Sequence, residues 1–212
     1  MKLRALGLSA VFALSVAAVK PVLADTTVYQ QSPNQSNAFF ADQTQQLYDN
    51  FTLSSTATVN GVTWYGAFNA HETSAFTIDF YSDSGGAPGA LIGSDVTPSS
   101  GAATGGLLFG LPEEVYSDSL TPLTFVAGQQ YWIEISADTI ASWIWEASSG
   151  GDNSFDFNGG GGIEPDPGRG DLAFTLTGSG SVAATPEPSS FALLGTGLLG
   201  AVGFARRKFW RA

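Results

Sequence analysis

The sequence is poor in the groups from which reactive sites are most easily built. It has no cysteine, one histidine, one methionine and only 8 Lys+Arg against 19 Asp+Glu in 212 residues. Without cysteine there are no disulfide staples, no thiolate metal ligands and no cysteine nucleophile. A net charge of −11 argues against a nucleic-acid partner, because binding phosphates takes Lys and Arg. His71 is the only imidazole and no G-x-S-x-G elbow occurs, so a hydrolase triad would have to form around that one residue. What the chain does have is apolar and aromatic material, with 15 Phe, 6 Tyr, 5 Trp and 26 Gly. That is enough for one core-bearing domain with attachments.

The few cations are placed unevenly. Residues 1–24 carry Lys2, Arg4 and Lys20 and no acid, while residues 186–212 carry Arg206, Arg207, Lys208 and Arg211 against Glu187. Between them, residues 25–185 hold 18 acids and Arg169 as the only base, a charge of −17. This layout suggests two membrane-directed ends around a solvent-directed body. Lys2 and Arg4 precede the apolar run Ala5–Val19, and Val22-Leu23-Ala24 puts small side chains before Asp25. The pattern predicts a secretory signal peptide over 1–24, used by the secretion translocon and cleaved between Ala24 and Asp25. Lys20 and Pro21 stop the run short of the roughly 20 residues that a membrane span needs.

The other end has three parts. Pro186-Glu187-Pro188 is followed by Ser189–Ala205, 17 residues without a charge, and then by Arg206, Arg207 and Lys208. The apolar tract is at the short limit for a transmembrane helix. The basic cluster reads as a cytoplasmic membrane stop, which leaves the body on the outer side of the inner membrane. Residues 179–185, rich in Gly, Ser and Ala, read as a flexible linker.

Pro186-Glu187-Pro188, the Gly-rich apolar tract and Arg206-Arg207-Lys208 together resemble a PEP-CTERM sorting signal, over residues 186–212. A similar tail is known as the ice-binding protein C-terminal type. The resemblance implies export in a Gram-negative bacterium that makes exopolysaccharide. It also implies recognition of the Pro-Glu-Pro motif by exosortase, a membrane-embedded cysteine protease-transpeptidase. The body would then be released or attached at the surface. Such tails sit behind many unrelated bodies, so the resemblance speaks to destination and processing and leaves activity open.

Residues 25–178 show period-two alternation and frequent Gly and Pro, with no helical stretch. Phe76, Ile78 and Phe80 alternate with Thr77, Asp79 and Tyr81; Tyr131, Ile133 and Ile135 alternate with Trp132, Glu134 and Ser136; Leu172, Phe174 and Leu176 close the series. Further strands are expected at 47–53, 58–65, 90–96, 120–125 and 142–147. Ser82–Gly89 and Ala127–Gln129 read as turns, and Gly150–Gly170 as a long irregular loop. The expected fold is all-β, an antiparallel β-sandwich of jelly-roll-like type. Phe76–Val96, Leu123–Ser136 and Asp171–Gly178 also resemble the sandwich bodies found ahead of surface-anchor tails.

Three kinds of body chemistry are open. Calcium takes carboxylate and carbonyl oxygens and needs no Cys or His. Asp152, Asn153 and Asp156 are candidate ligands, with Glu164, Asp166 and Asp171 following, although a solvated acidic loop is the favoured explanation of them. Trp143 and Trp145 share one strand face about 7 Å apart and form either a glycan-stacking platform or part of the core. Glu113, Glu114, Glu134 and Glu146 are the carboxylates from which a glycosidase pair would be drawn. The expected role is structural or adhesive and non-catalytic, within an exopolysaccharide matrix. A carbohydrate-binding module and, less favoured, a secreted hydrolase are the alternatives.

Overall fold

The computed structural model describes residues 25–69, 75–98, 100–140 and 142–180. The signal-peptide tract, His71 and the sorting tail therefore lie outside the described residues. In chain order the strands are β1 (Thr26–Gln31), β2 (Pro33–Phe40), β3 (Gln46–Thr52), β4 (Ala57–Phe68), β5 (Phe76–Asp83), β6 (Pro88–Thr97) and β7 (Ala102–Leu108). They continue with β8 (Leu111–Phe125), β9 (Gln130–Ala137), β10 (Trp143–Ser148), β11 (Ser154–Asn158), β12 (Ile163–Pro167), β13 (Asp171–Leu172) and β14 (Phe174–Gly180). No helix occurs among the described residues.

Two antiparallel sheets form. One has eight strands, with the path β1-β14-β4-β10-β13, β2 added on β10, and β8 with β7 added on β4. The other has six strands in the order β12-β11-β3-β9-β5-β6. The alternation read from the sequence places their facing sides. In β3, Leu47 and Phe51 point inward; in β9, Ile133 and Ile135; in β5, Phe76, Ile78 and Phe80. The eight-stranded sheet answers with Val59, Val62 and Trp64 of β4, Tyr116 and Phe125 of β8, Trp143 and Trp145 of β10, and Phe174 and Leu176 of β14.

Two aromatic hubs join the layers. Phe51 lies between 5.1 and 6.2 Å, centroid to centroid, from Tyr29, Phe125 and Phe174 of the opposite sheet, and 5.9 Å from Tyr131 beside it. Phe76 meets Trp64 at 5.2 Å, Tyr116 at 4.9 Å and Trp143 at 5.0 Å. Most of these pairs are tilted or edge-on, the arrangement favoured by ring quadrupoles. Close packing also fixes Gly66, where a Cβ would come within 2.3 Å of the Ile144 carbonyl and 2.9 Å of the Trp143 ring. Only glycine lets β4 and β10 pair at that point.

The structure departs from the sequence reading in instructive places. Gly150–Gly170 is not an irregular loop, since it contains the β11–β12 hairpin. β12 reads Ile-Glu-Pro-Asp-Pro and lies at the sheet edge, where missing proline N–H groups can be tolerated. β1, β2 and β7 are polar or Gly-rich, so they carry little alternation and owe their form to their partners. β8 is 15 residues long, where only its last six were expected. β9 does not keep one wet face, because Trp132 and Glu134 are buried as well. β14 runs through Ser179 and Gly180, two residues that had been assigned to the linker.

Phe51→Ala removes a ring that touches both sheets and should cost about 3–5 kcal/mol. Chemical denaturation of the purified variant checks this. A loss below about 1 kcal/mol would mean that the hub does not hold the sheets together.

Candidate functional site

Trp143 and Trp145 belong to the core and form no glycan-stacking platform. Trp143 and Trp145 are 0% exposed and 6.3 Å apart. β10 pairs with β4 and β2 in the interior of the larger sheet, and both rings project from it into the core. Trp143 packs against Phe76 and Trp145 against Phe174, while the Trp145 indole N–H donates to the Ala173 carbonyl at 3.0 Å. Neither offers a face to a sugar.

Asp152, Asn153 and Asp156 lie around the entrance to β11. Asp152 Oδ1 accepts from the Ser154 amide at 3.1 Å, and Oδ2 accepts from the Asn50 side chain at 2.9 Å. The backbone amides of Asp152 and Asn153 donate to the two oxygens of Asp171 at 3.0 and 2.8 Å. Asp156 sits one strand step further on, buried opposite Tyr48. Burial and then the charge of Asp152 push it up to about 6. Among the described residues no three His, Cys, Asp or Glu side chains gather where they could hold a metal ion. The geometry instead uses these oxygens to fasten a turn.

Behind that turn lies Asp49, the one acid on the inward face of β3. It accepts from the Leu172 amide, and the Gln31 amide nitrogen reaches its Oδ2 at 2.8 Å, with the Gln31 oxygen accepting from the Tyr29 hydroxyl. Burial raises its carboxyl well above the ordinary range, with the charges of Asp171 and Asp152 adding to the effect. Asp171 is raised too, by burial first, against the pull of its two backbone donors.

A second acidic group lies on the outward face of the six-stranded sheet. The Tyr81 hydroxyl donates to Glu134 Oε2 at 2.8 Å, with Asp79 3.3 Å away, and Tyr48 packs edge-on to Tyr81 at 5.6 Å. Burial raises Glu134, and burial together with the Glu134 charge lifts Tyr81 far above the usual phenol value. Tyr48 is pushed up to about 12, again by burial first.

The third group joins two of the four candidate glutamates. Glu113 of β8 and Glu146 of β10 are 2% and 0% exposed, and both are held to Gln35 of β2. Glu146 Oε1 accepts from the Gln35 amide at 2.6 Å, while Glu113 Oε2 accepts from the Thr104 hydroxyl and from Gln35 Nε2 at 3.1 Å. Burial, then the bond to Glu113 and its charge, push Glu146 up to about 8. Burial also works to raise Glu113, but the hydrogen bonds from Glu146, Thr104 and Gln35 outweigh it and hold Glu113 low. Sequence reasoning named both residues but had no means of pairing positions so far apart in the chain. The other two candidates stay apart from this pair, Glu114 bonding to Tyr116 and Glu134 to Tyr81.

Beside this pair runs a groove of about 460 Å³ lined by Ala38, Phe39, Phe40, Gln45, Asn69, Phe109, Leu111, Ile144 and Arg169. Phe109, at the tip of the β7–β8 turn, has φ 54° and is 66% exposed. That backbone region strains an aromatic residue. Arg169 lies 5.7 Å over the Phe39 ring and pairs with Asp166 at 3.1 Å. No feature of the sequence had marked this groove, because its walls come from separate strands.

The described residues thus define an all-β body of two packed antiparallel sheets, acidic outside and aromatic inside. A family model described as the PEP-CTERM protein-sorting motif matches residues 184–208. The chain carries this motif in its C-terminal region, which implies an exported protein that passes through a membrane-anchored stage and is processed by exosortase. No curated protein matches the chain.

Apart from Glu113, the shifted carboxyls bind their protons more tightly in the folded chain than in the unfolded one. Their stabilisation is therefore complete below about pH 4, the range of the unfolded groups, and is lost as pH rises through about 6 for Asp156 and about 8 for Glu146. Thermal melts should show Tm falling by about 5–10 °C between pH 5 and pH 9. A Tm that rises with pH over this range would contradict the assignment.

Proposed function

We propose that the chain is an exported protein whose sandwich body serves as a structural or adhesive, non-catalytic component of an exopolysaccharide matrix. Exosortase cleavage at Pro186-Glu187-Pro188 would deliver it to the cell surface or the medium. The observation carrying this reading is the sorting motif on a body that keeps most of its aromatic rings inside and most of its acids outside. Arg169 is the one cation among the described residues, and Asp166 already pairs with it. A surface of such uniform sign stays hydrated and attracts divalent cations, and calcium bridges to anionic polysaccharide would be a natural means of attachment. The buried carboxylates of Asp49, Asp171, Glu146 and Glu113 support a non-catalytic role, since each has at least one oxygen engaged in a hydrogen bond that fastens a strand or turn.

Replacing Pro186-Glu187-Pro188 by alanines should leave the tail on the exported protein, as read by mass spectrometry of its C-terminus. Identical C-termini in mutant and wild type would sink the sorting claim. Sedimentation with exopolysaccharide should follow calcium and be lost in chelator, and absence of co-sedimentation under both conditions would remove the matrix role.

A carbohydrate-binding module is the second reading, and the groove at Phe109 favours it. It combines exposed apolar rings with the side chains of Gln45, Asn69 and Arg169, the mixture that takes sugar C–H faces and hydroxyls. On a glycan array, Phe109→Ala should reduce any signal at least tenfold with Tm unchanged. A signal equal to wild type would exclude this groove as the binding site.

A further inference from the structure

The Glu113–Glu146 pair fastens a part of the fold that has little else to hold it. β7 is an edge strand that pairs only with β8, with a register break between Ala103 and Leu107. Gly105, Phe109 and Gly110 have positive φ values of 87°, 54° and 83°. The strand is tied inward mainly at two points. Leu108 is buried against Ala67 and Ile144 on the outer side of the larger sheet. The Thr104 hydroxyl rests on Glu113, and Gly106 lies so close that a Cβ there would come within 2.4 Å of the same carboxylate.

Each carboxyl group has one oxygen fully engaged and one that finds no other donor. Glu146 Oε1 takes the β2 backbone at Gln35, and Glu113 Oε2 takes Thr104 and the Gln35 side chain. Glu113 Oε1 and Glu146 Oε2 are buried with no donor among the described residues. Gln35 brings the two carboxyls together through its backbone and its side chain, and one proton between these oxygens would complete both groups. The strands packed around them add only acids and phenols: Glu114, Asp118 and Tyr116 on β8, Tyr65 on β4 and Asp171 on β13, with none on β2 or β7. Glu114 is itself bonded to Tyr116, and Arg169 lines the adjoining groove beside Asp166. No cation among the described residues is placed to take over when the proton leaves.

We propose that Glu113 and Glu146 form a one-proton latch that holds the β7–β8 hairpin down on β2 and β10, and that loss of this proton to alkaline solvent releases the hairpin. Two adjacent buried carboxylates repel each other in a medium where neither is well solvated. The arrangement is relieved when the hairpin lifts and water enters. Lifting frees Leu108 and Ile144 and carries Phe109 and Leu111 away, so one wall of the apolar groove is movable. The latch would regulate access to that groove whether its occupant is a glycan or something else. It stands apart from the matrix role and from the sorting tail.

The test is amide hydrogen exchange of the full chain in detergent micelles from pH 6 to 9, corrected for intrinsic exchange, with Gln130–Ala137 as internal reference. Protection of Ala102–Leu111 should hold to about pH 8 and then fall about tenfold per pH unit. Glu146→Gln, whose amide replaces the shared proton with a permanent donor, should keep the hairpin protected throughout. Protection of the wild-type hairpin that does not change with pH, or the same loss in Glu146→Gln, overturns the proposal. Glu113→Gln supplies the same donor from the other side should the first variant fail to fold. A variant-free check is the carbon-13 titration of the glutamate side chains, in which one carboxyl should titrate above pH 7. If every glutamate titrates in the ordinary range, the latch does not exist.

Discussion

The sandwich depends on aromatic contact between its two sheets. No cysteine is available to staple the layers, and within the body only Arg169 is available to neutralise a carboxylate. Burial of apolar surface is therefore the one large stabilising term left. Phe51 and Phe76 concentrate it, each reaching across the gap to rings of the opposing sheet. Trp143 and Trp145 belong to this layer, and their recruitment to the core is why they cannot also serve as a binding surface.

The same lack of cations decides how the fold treats its acids. A buried carboxylate normally finds an arginine, a lysine or a metal. Here such groups are stabilised by hydrogen bonds and by keeping protons. Asp49 receives a backbone amide and the Gln31 side chain, Asp171 receives two amides of the neighbouring turn, and Glu146 shares a proton with Glu113. These arrangements fasten loops and edge strands at the cost of making the fold sensitive to pH. Acidity thus has two consequences in this protein. Outside, it gives a hydrated surface suited to the extracellular medium; inside, it gives proton-dependent fastenings.

Much of the fold was legible in the residues. Phe76, Ile78 and Phe80, or Tyr131, Ile133 and Ile135, specify a strand and its inward side without knowledge of any partner. The strands that escaped notice are those whose form is imposed from outside. β12 contains two prolines, β7 is mostly Ala, Thr and Gly, and β1 and β2 are polar. Each becomes a strand because a neighbour offers unpaired backbone groups. The candidate sites were less legible than the fold. Asp152, Asn153 and Asp156 were visible as a local cluster, but their local density said nothing about the donors that occupy Asp152 and Asp171. Glu113 and Glu146 were visible only as separate glutamates.

By itself the sequence determined that the protein carries an export-sorting signal, because sorting is read from contiguous residues. Pro186-Glu187-Pro188 and the apolar and basic stretches after it carry their meaning in linear order, and the matched motif over 184–208 rests on that order. It also determined the class of fold, since period-two alternation survives in any window long enough to show it. Tertiary structure alone decided which tryptophans are core, which acids meet and where a groove opens. Each of those facts depends on strands distant in the chain coming to lie within a few ångströms. The shortage of cysteine, histidine and cations excluded several chemistries before any fold was known. Only the packed sheets could show that the acids left over would be fastened by side-chain and backbone amides.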